Sequence, residues 1–298
     1  MSKSAAVMLL ALWRMARPLI MLSVILVYCA GALMARAAGA ALSISAFLWG
    51  TAALILVTLS IHYVNEYADH ETDALTHRTA FSGGSGVLAS GSVPRALALW
   101  AGWISLILGC LVAVVAVLNG VLSISALLVL LLGAFGGWMY SLPPLKLAWR
   151  GWGETDNALL GGMVLPLYGY TAQTGQPDIW VMAACLPFTL LVFTNLLATT
   201  WADRDADAQV GKHTLATRIP ARTLRWLYGT AMLLCFALLF ILSGQPLPPL
   251  VAAGSFGVLP LAVWGALRYT RIHSPHPSVI AMTALLLAQM MLWFWVGS

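Results

Sequence analysis

Charge is what this chain has least of. Of its 298 residues only 15 are basic and 10 acidic, 8% in all, while 61% are hydrophobic and the mean hydropathy is +0.89. A soluble globular domain is about a quarter charged, and so few charged groups cannot cover a water-facing surface. That class is excluded, and the lipid bilayer becomes the implied solvent. Paired cysteines are lacking too. Cys29, Cys110, Cys185 and Cys235 stand singly in apolar runs, without the spacing of a zinc site or redox motif, and read as small packing residues.

What the chain has instead is long uncharged runs. A helix crossing about 30 Å of hydrocarbon at about 1.5 Å per residue needs about 20 residues, and cutting the chain on that measure yields nine segments. They are 19–35, 37–61, two within the charge-free stretch 96–145 divided at Asn119-Gly120, 157–175, 179–202, two within 226–267 divided at Ser243-Gly244-Gln245-Pro246, and 279–296. The runs are continuous rather than alternating, which predicts helices rather than barrel strands. All the basic residues except Arg36 then fall on one side, as short cytoplasmic loops should. The expectation is an all-α integral membrane protein: one domain over residues 1–298, nine transmembrane helices in one bundle, and a cytoplasmic amino terminus. Arg14 and Arg17 interrupt the first apolar stretch before any signal-like cleavage site, so it reads as an interfacial helix. The net charge of +5 suits an anionic inner leaflet and is no evidence for nucleic acid.

The few acids are clustered. Glu66, Asp69, Glu71 and Asp73 fall in one short window and Asp203, Asp205 and Asp207 in another, seven of the 10 in the chain, each window at the cytoplasmic end of a predicted span. Asn65, Asp69 and Asp73 step by four and form one stripe on a helix; Asp203 and Asp207 form a second. Stacked carboxylates repel one another unless a cation lies between them. Magnesium fits, because it is held by one or two carboxylates together with waters and substrate phosphate oxygens, and the Asn65 amide oxygen is an acceptable neutral ligand. One offset relates Asp69 to Asp203, Asp73 to Asp207 and Arg78 to Lys212. Two acidic helix ends with flanking cations describe a clamp for a diphosphate. Thr199 stands where the repeat would place a second Asn65.

Other polar features surround this clamp. The stretch Phe81-Ser82-Gly83-Gly84-Ser85-Gly86 lacks the lysine of a P-loop and reads as a flexible cover over the site. Tyr140, Lys146, Arg150 and Glu154 lie in the next cytoplasmic loop, placed to face both acidic windows or, as plain topology-setting charge, neither. His273 and His276, beside prolines and far in sequence from acids, read as loop residues rather than metal ligands.

These residues resemble the UbiA superfamily of intramembrane prenyltransferases, whose members are similar in having nine helices and aspartate-rich motifs after the second and sixth. The matching motifs are Asn65-Glu-Tyr-Ala-Asp69-His-Glu-Thr-Asp73 and Asp203-Arg-Asp205-Ala-Asp207, the latter leading into Gly211-Lys212. The loop from Tyr140 through Lys146 to Arg150-Gly-Trp-Gly-Glu154, with the glycine-rich stretch, resembles the branch containing 1,4-dihydroxy-2-naphthoate prenyltransferase. That branch usually has Asn where Thr199-Thr200 stand. The resemblance implies Mg2+-dependent transfer of a polyprenyl group from a polyprenyl diphosphate to an aromatic acceptor, at the cytoplasmic side of the inner membrane, in menaquinone biosynthesis. Asp69, Asp73, Asp203 and Asp207 would be catalytic and, with Asn65, would hold two ions; Arg78, Tyr140, Lys146, Arg150 and Lys212 would bind substrate. Asp205, off the stripe, could orient the acceptor. Other acceptors remain open, among them 4-hydroxybenzoate, tetrapyrrole or glycerol phosphate, as do a divalent-cation transporter and a non-catalytic isoprenoid-binding protein.

Overall fold

The computed structural model describes residues 3–298 except 77, 80 and 82, so Ser82 of the glycine-rich stretch lies outside the described residues. Among the described residues there are no strands; Ser243 and Leu247 pair only as an isolated bridge in a turn. The helices are α1 (Lys3–Met15), α2 (Pro18–Ala37), α3 (Ile44–Ala68), α4 (His70–Leu75), α5 (Arg95–Leu118), α6 (Ile124–Ser141), α7 (Gly153–Leu159), α8 (Leu165–Thr174), α9 (Ile179–Gln209), α10 (Leu215–Arg218), α11 (Ala221–Ile241), α12 (Pro249–Ser255), α13 (Leu259–Arg268) and α14 (His276–Val296). A single 3-10 turn, Phe256–Val258, joins α12 to α13.

Eight helices among the described residues are long and apolar enough to cross a bilayer, with α12 and α13 counting as one. The segment expected at 157–175 is helical but is not one regular helix: a π turn, Leu160–Val164, separates α7 from α8. Pro166 follows two residues after it. Its ring cannot sit in a regular ladder, and a π turn is one way a helix absorbs such a misfit. The segment read as an interfacial helix is helical, as α1, with Val7, Leu9, Leu10 and Trp13 exposed.

Side-chain hydrogen bonds start several of the spans, α3 seven residues later than the uncharged run suggested. Ser43 Oγ accepts from Ala46 N at 3.2 Å, Ser123 Oγ from Ala126 N at 3.0 Å, and Asp178 Oδ1 from Trp180 N at 2.7 Å. The outer faces are apolar, with Leu118 80% exposed, as expected of lipid contact. Small residues set the interior. A Cβ on Gly31 would overlap the Pro166 carbonyl oxygen, and one on Gly169 the Tyr28 carbonyl oxygen, so α2 and α8 meet backbone to backbone. α3 packs against α5, and α9 against α11, α14 and the α7–α8 segment. In α9, 61% of the most apolar stretch is buried, against 39% or less in the other spans, which makes it the central helix.

Length then positions the acids. The 31 residues of α9 extend about 46 Å at 1.5 Å per residue, well beyond a 30 Å hydrocarbon core. The span was expected to end near Ala202; the helix continues through Asp203, Asp205 and Asp207 and keeps them in helical register.

Candidate active site

α3 ends at Ala68, and Asp69 (φ −93, ψ 11) is the joint with α4. The helical ladder survives the joint, because Asp69 N donates to Asn65 O at 2.9 Å and Asp73 N to Asp69 O at 2.8 Å. The stripe read from the sequence is therefore retained across two helices. Within it, Asn65 Nδ2 donates to Asp69 Oδ2 at 2.9 Å and to Ser141 Oγ at 3.4 Å, which spends the amide nitrogen and leaves the amide oxygen as the acceptor. Glu66, in the same window, is 2% exposed and accepts from Arg17 and Ser85.

Asp73 is packed against the glycine-rich stretch. A Cβ on Gly84 would collide with its carboxylate, and Gly84 has φ +59. Gly84→Ala combines that collision with a left-handed backbone costing a Cβ-bearing residue about 1–2 kcal/mol. It is expected to reduce turnover by roughly tenfold or more while the helices remain folded, checked by initial rates beside circular dichroism.

Burial, and after it the charge of Asp69, push the Asp73 carboxyl up to about 8, against the opposing pull of Arg17. The folded value thus exceeds the unfolded 3.8. Such a group supports the fold fully below its unfolded pKa and loses that contribution as pH rises through the folded one. Chelator-treated protein is expected to lose Tm as pH rises from about 4 to about 8, and Asp73→Asn to flatten that decline; equal slopes for the two proteins would contradict it.

The second window faces the first. Lys212 N turns back to accept its place beside α9 by donating to Asp207 O at 2.9 Å. Its Nζ then lies 3.1 Å from Asp69 Oδ1 and 3.5 Å from Asp207 Oδ1. One ammonium, 8% exposed, joins a carboxylate from each window. Burial works against that charge, but Asp69 and then Asp207 outweigh it and raise the Lys212 pKa. Lys212 was expected to flank the acids as Arg78 does. Instead it is enclosed between them, whereas Arg78 is exposed and lies under Gly83 and Gly86. The repeat seen in the sequence is therefore one of spacing and not of environment.

The remaining sequence-nominated residues divide. Tyr140 ends α6 beside Ser141 and is close enough to Lys212 to raise its pKa. Lys146 (φ 48) places Nζ 4.1 Å from the Trp149 ring centroid, and Lys212 Nζ is 6.0 Å from the same ring, so one indole lies near both cations. Arg150 is exposed; its carbonyl oxygen accepts from Arg218 Nη1 at 3.3 Å. Asp203 is partly exposed and Asp205 is exposed. Thr199 Oγ1 donates to Leu196 O at 2.9 Å, a bond within its own helix. His276 stacks edge-on with Phe81, 5.4 Å between centroids, and His273 lies over Trp201.

Two residues were missed by sequence reasoning as parts of this site, and a third, Glu154, was placed in the loop near the acidic windows without a role. Arg17 read only as topological charge, and Ser85 as one residue of a cover. Glu154, 2% exposed, accepts from Leu215 N at 2.9 Å and so fixes the segment that carries Lys212. The one available signal was its charge beside a span in a chain that avoids charge.

Among the described residues no three His, Cys, Asp or Glu side chains converge on a common point for a metal. The donor set still fits a hard cation that keeps waters and takes substrate oxygens. Asp207 is 1% exposed, and its Oδ1 receives no hydrogen bond, its charge being met by Lys212; that oxygen has lone pairs to give.

Facing acidic helix ends at one end of a bundle of long apolar helices are the features of a multi-pass membrane protein. Residues 23–295 match the model of the UbiA prenyltransferase family, and the chain belongs to that family; it is a multi-pass membrane prenyltransferase. Among solved structures, it is similar to a UbiA homolog from Archaeoglobus fulgidus bound to GPP and Mg2+, at 18% identity and TM-score 0.67, covering 96% of this chain and 99% of that one. A UbiA homolog from Aeropyrum pernix K1, in its apo form, shares 16% identity at TM-score 0.66, over 91% of this chain and 94% of that one. A digeranylgeranylglyceryl phosphate synthase shares 17% at TM-score 0.65, over 97% and 99%. These likenesses establish the fold. No curated protein matches the chain.

Proposed function

We propose that this chain transfers a polyprenyl group from a polyprenyl diphosphate to an aromatic acceptor, 1,4-dihydroxy-2-naphthoate, with loss of the ring carboxylate, in menaquinone biosynthesis. The observation that carries the diphosphate reading is Lys212 held between Asp69 and Asp207 at 3.1 and 3.5 Å, which puts the two acidic windows within reach of one small anion and its cations. Asn65, Asp69 and Asp73 would hold one magnesium ion and Asp203 and Asp207 a second. Bound there, magnesium neutralises the diphosphate and makes it a better leaving group. Lys212 donates to the departing oxygens, Lys146 and Arg78 meet the remaining charge, and Tyr140 lines the approach between them. As the allylic carbon–oxygen bond breaks, its electron pair leaves with the diphosphate; a ring carbon of the acceptor supplies the pair for the new carbon–carbon bond, and loss of the ring carboxylate as carbon dioxide returns its bonding pair to the ring. The Gly83–Gly86 stretch over Asp73 keeps water from the allylic carbon, where it would give an alcohol.

The naphthoate acceptor is supported by the likeness of the Tyr140–Glu154 loop to that branch. A glycerol phosphate acceptor is the second reading, favoured by the similarity to digeranylgeranylglyceryl phosphate synthase. The same proposal takes residues 1–298 as one domain with nine crossings in the inner membrane. The Gly153–Thr174 segment supplies the ninth, and the amino terminus and the site are cytoplasmic, in keeping with the one-sided Lys and Arg.

Purified protein in lipid nanodiscs, given a prenyl diphosphate and a panel of these acceptors, is expected to release pyrophosphate and yield a prenylated, decarboxylated naphthol by mass. EDTA should stop the reaction and magnesium restore it. A product from another acceptor alone overturns the menaquinone assignment, and pyrophosphate release indifferent to EDTA overturns the metal scheme.

A further inference from the structure

Glu66 lies inside the first acidic window, yet its hydrogen bonds lead away from the stripe. Oε1 accepts from Arg17 Nε at 2.9 Å, Arg17 Nη2 at 2.6 Å and Ser85 N at 2.7 Å, and Oε2 accepts from Ser85 Oγ at 2.6 Å. Of these four donors three converge on Oε1 and one reaches Oε2, each oxygen having about two acceptor positions. Half of them come from one residue of the glycine-rich stretch. An ion pair that only stabilised the bundle would need Arg17 alone.

Both ends of this link are built. Arg17 is the joint between α1 and α2 and adopts φ 51, a left-handed conformation that non-glycine residues hold only when their surroundings impose it. The surroundings are visible: His62 Nδ1 lies 2.8 Å from Ala16 O, and Tyr63 OH donates to Leu12 O at 3.3 Å. Beyond Ser85, Val87 and Leu88 are buried with Ala11, Met15 and Ala16 of α1 and with Tyr63 of α3. On the near side of Ser85, Gly84 is pressed against the Asp73 carboxylate. Interfacial helix, acidic window and cover therefore meet at a single carboxylate.

We propose that Arg17 and Glu66 are positioning residues, forming a strut through which α1 and the end of α3 hold Gly83–Gly86 against Asp73 and so set the diphosphate site. They act through Ser85 and Gly84 and touch no reacting atom. Glu66, which lies in the window but off the Asn65–Asp69–Asp73 stripe, thereby has a role of its own apart from the metal-binding acids.

The inference rests on diphosphate being held beside Asp73, and the test separates the two. Arg17→Ala, Arg17→Lys and Ser85→Ala are made in the full chain in nanodiscs. Ser85→Ala keeps the ion pair and the backbone bond to Glu66 and removes the hydroxyl, which donates to Glu66 Oε2 at 2.6 Å and accepts from Val87 N at 3.2 Å. Three quantities are read: KM for the prenyl diphosphate, kcat, and the rate of trypsin cleavage after the exposed Arg78 without substrate. Arg17→Ala is expected to raise KM roughly tenfold, as loss of a supporting contact does elsewhere, with a smaller change in kcat and faster cleavage. Ser85→Ala should move both in the same direction by less, and Arg17→Lys should recover most of the loss. Unchanged KM and cleavage in Arg17→Ala and Ser85→Ala, after correction for folded fraction, overturn the strut, as does faster cleavage with KM unchanged. A wild type that releases no pyrophosphate overturns the diphosphate reading instead, and the cleavage rates then still decide whether the strut holds the cover.

Discussion

Asp207→Asn is expected to lower kcat by about 10²–10³-fold, the scale on which a preorganised charge-stabilising group acts, in a protein that still folds. The side chain is buried and at the end of α9, where its Oδ1 has no hydrogen bond and lies 3.5 Å from Lys212. Asparagine keeps the shape and removes the charge. Lys212 retains Asp69 at 3.1 Å, so no buried cation is left without a partner, and the substitution also relieves the cost of burying one carboxylate. Stability should therefore change little while turnover collapses. Asp178→Asn, at the opposite end of the same helix, keeps an oxygen able to cap Trp180 N and serves as the matched control. Pyrophosphate release and Tm measured on both variants check the expectation. An Asp207→Asn protein with normal turnover would remove the second acidic window from the chemistry.

Part of this arrangement was legible before any coordinates. Spans are readable because a bilayer fixes one length and excludes charge, so α2, α5, α6, α11 and α14 lie within a few residues of where uncharged runs place them. The acidic stripes are readable because a helix puts residues four apart on one face, and backbone bonds carry Asn65, Asp69 and Asp73 in that register. Two helix ends were misplaced, α3 and α9 both running further than their apolar stretches, because a helix does not stop at the edge of the hydrocarbon when its ladder can continue. The π turn before Pro166 was invisible for another reason: neither hydropathy nor periodicity registers one extra residue in a turn.

Partners distant in sequence were the larger gap. Glu66 is 49 residues from Arg17, Glu154 is 61 from Leu215, and Lys212 is 143 from Asp69. No periodicity records such pairs. The four-residue step separates Asp69 and Asp73 from Glu66 already in the sequence; only tertiary packing shows what each meets, Asp69 the Lys212 of the opposite window and Glu66 the Arg17 and Ser85 donors.

The same packing makes Lys212→Met the substitution with the largest expected effect on stability. Methionine can follow the lysine's path through the bundle end but brings no charge, so Asp69 and Asp207 would face each other in a buried space without the cation that now lies between them. Removing one partner of a buried pair costs about 3–5 kcal/mol, because the remaining charge is uncompensated. In EDTA the variant should melt well below wild type. Magnesium offers the missing positive charge to the same two carboxylates, so its addition should narrow the difference, and the Tm rise on adding magnesium should be larger in the variant than in wild type. Turnover should remain low even then, since the ammonium that donates to the departing diphosphate is gone. Two measurements settle the matter: Tm with EDTA and with magnesium for both proteins, and pyrophosphate release with magnesium. If Lys212→Met matches wild type in EDTA, the lysine does not bridge the two windows. If it is destabilised but gains no more from magnesium than wild type does, those carboxylates are not where the metal is held.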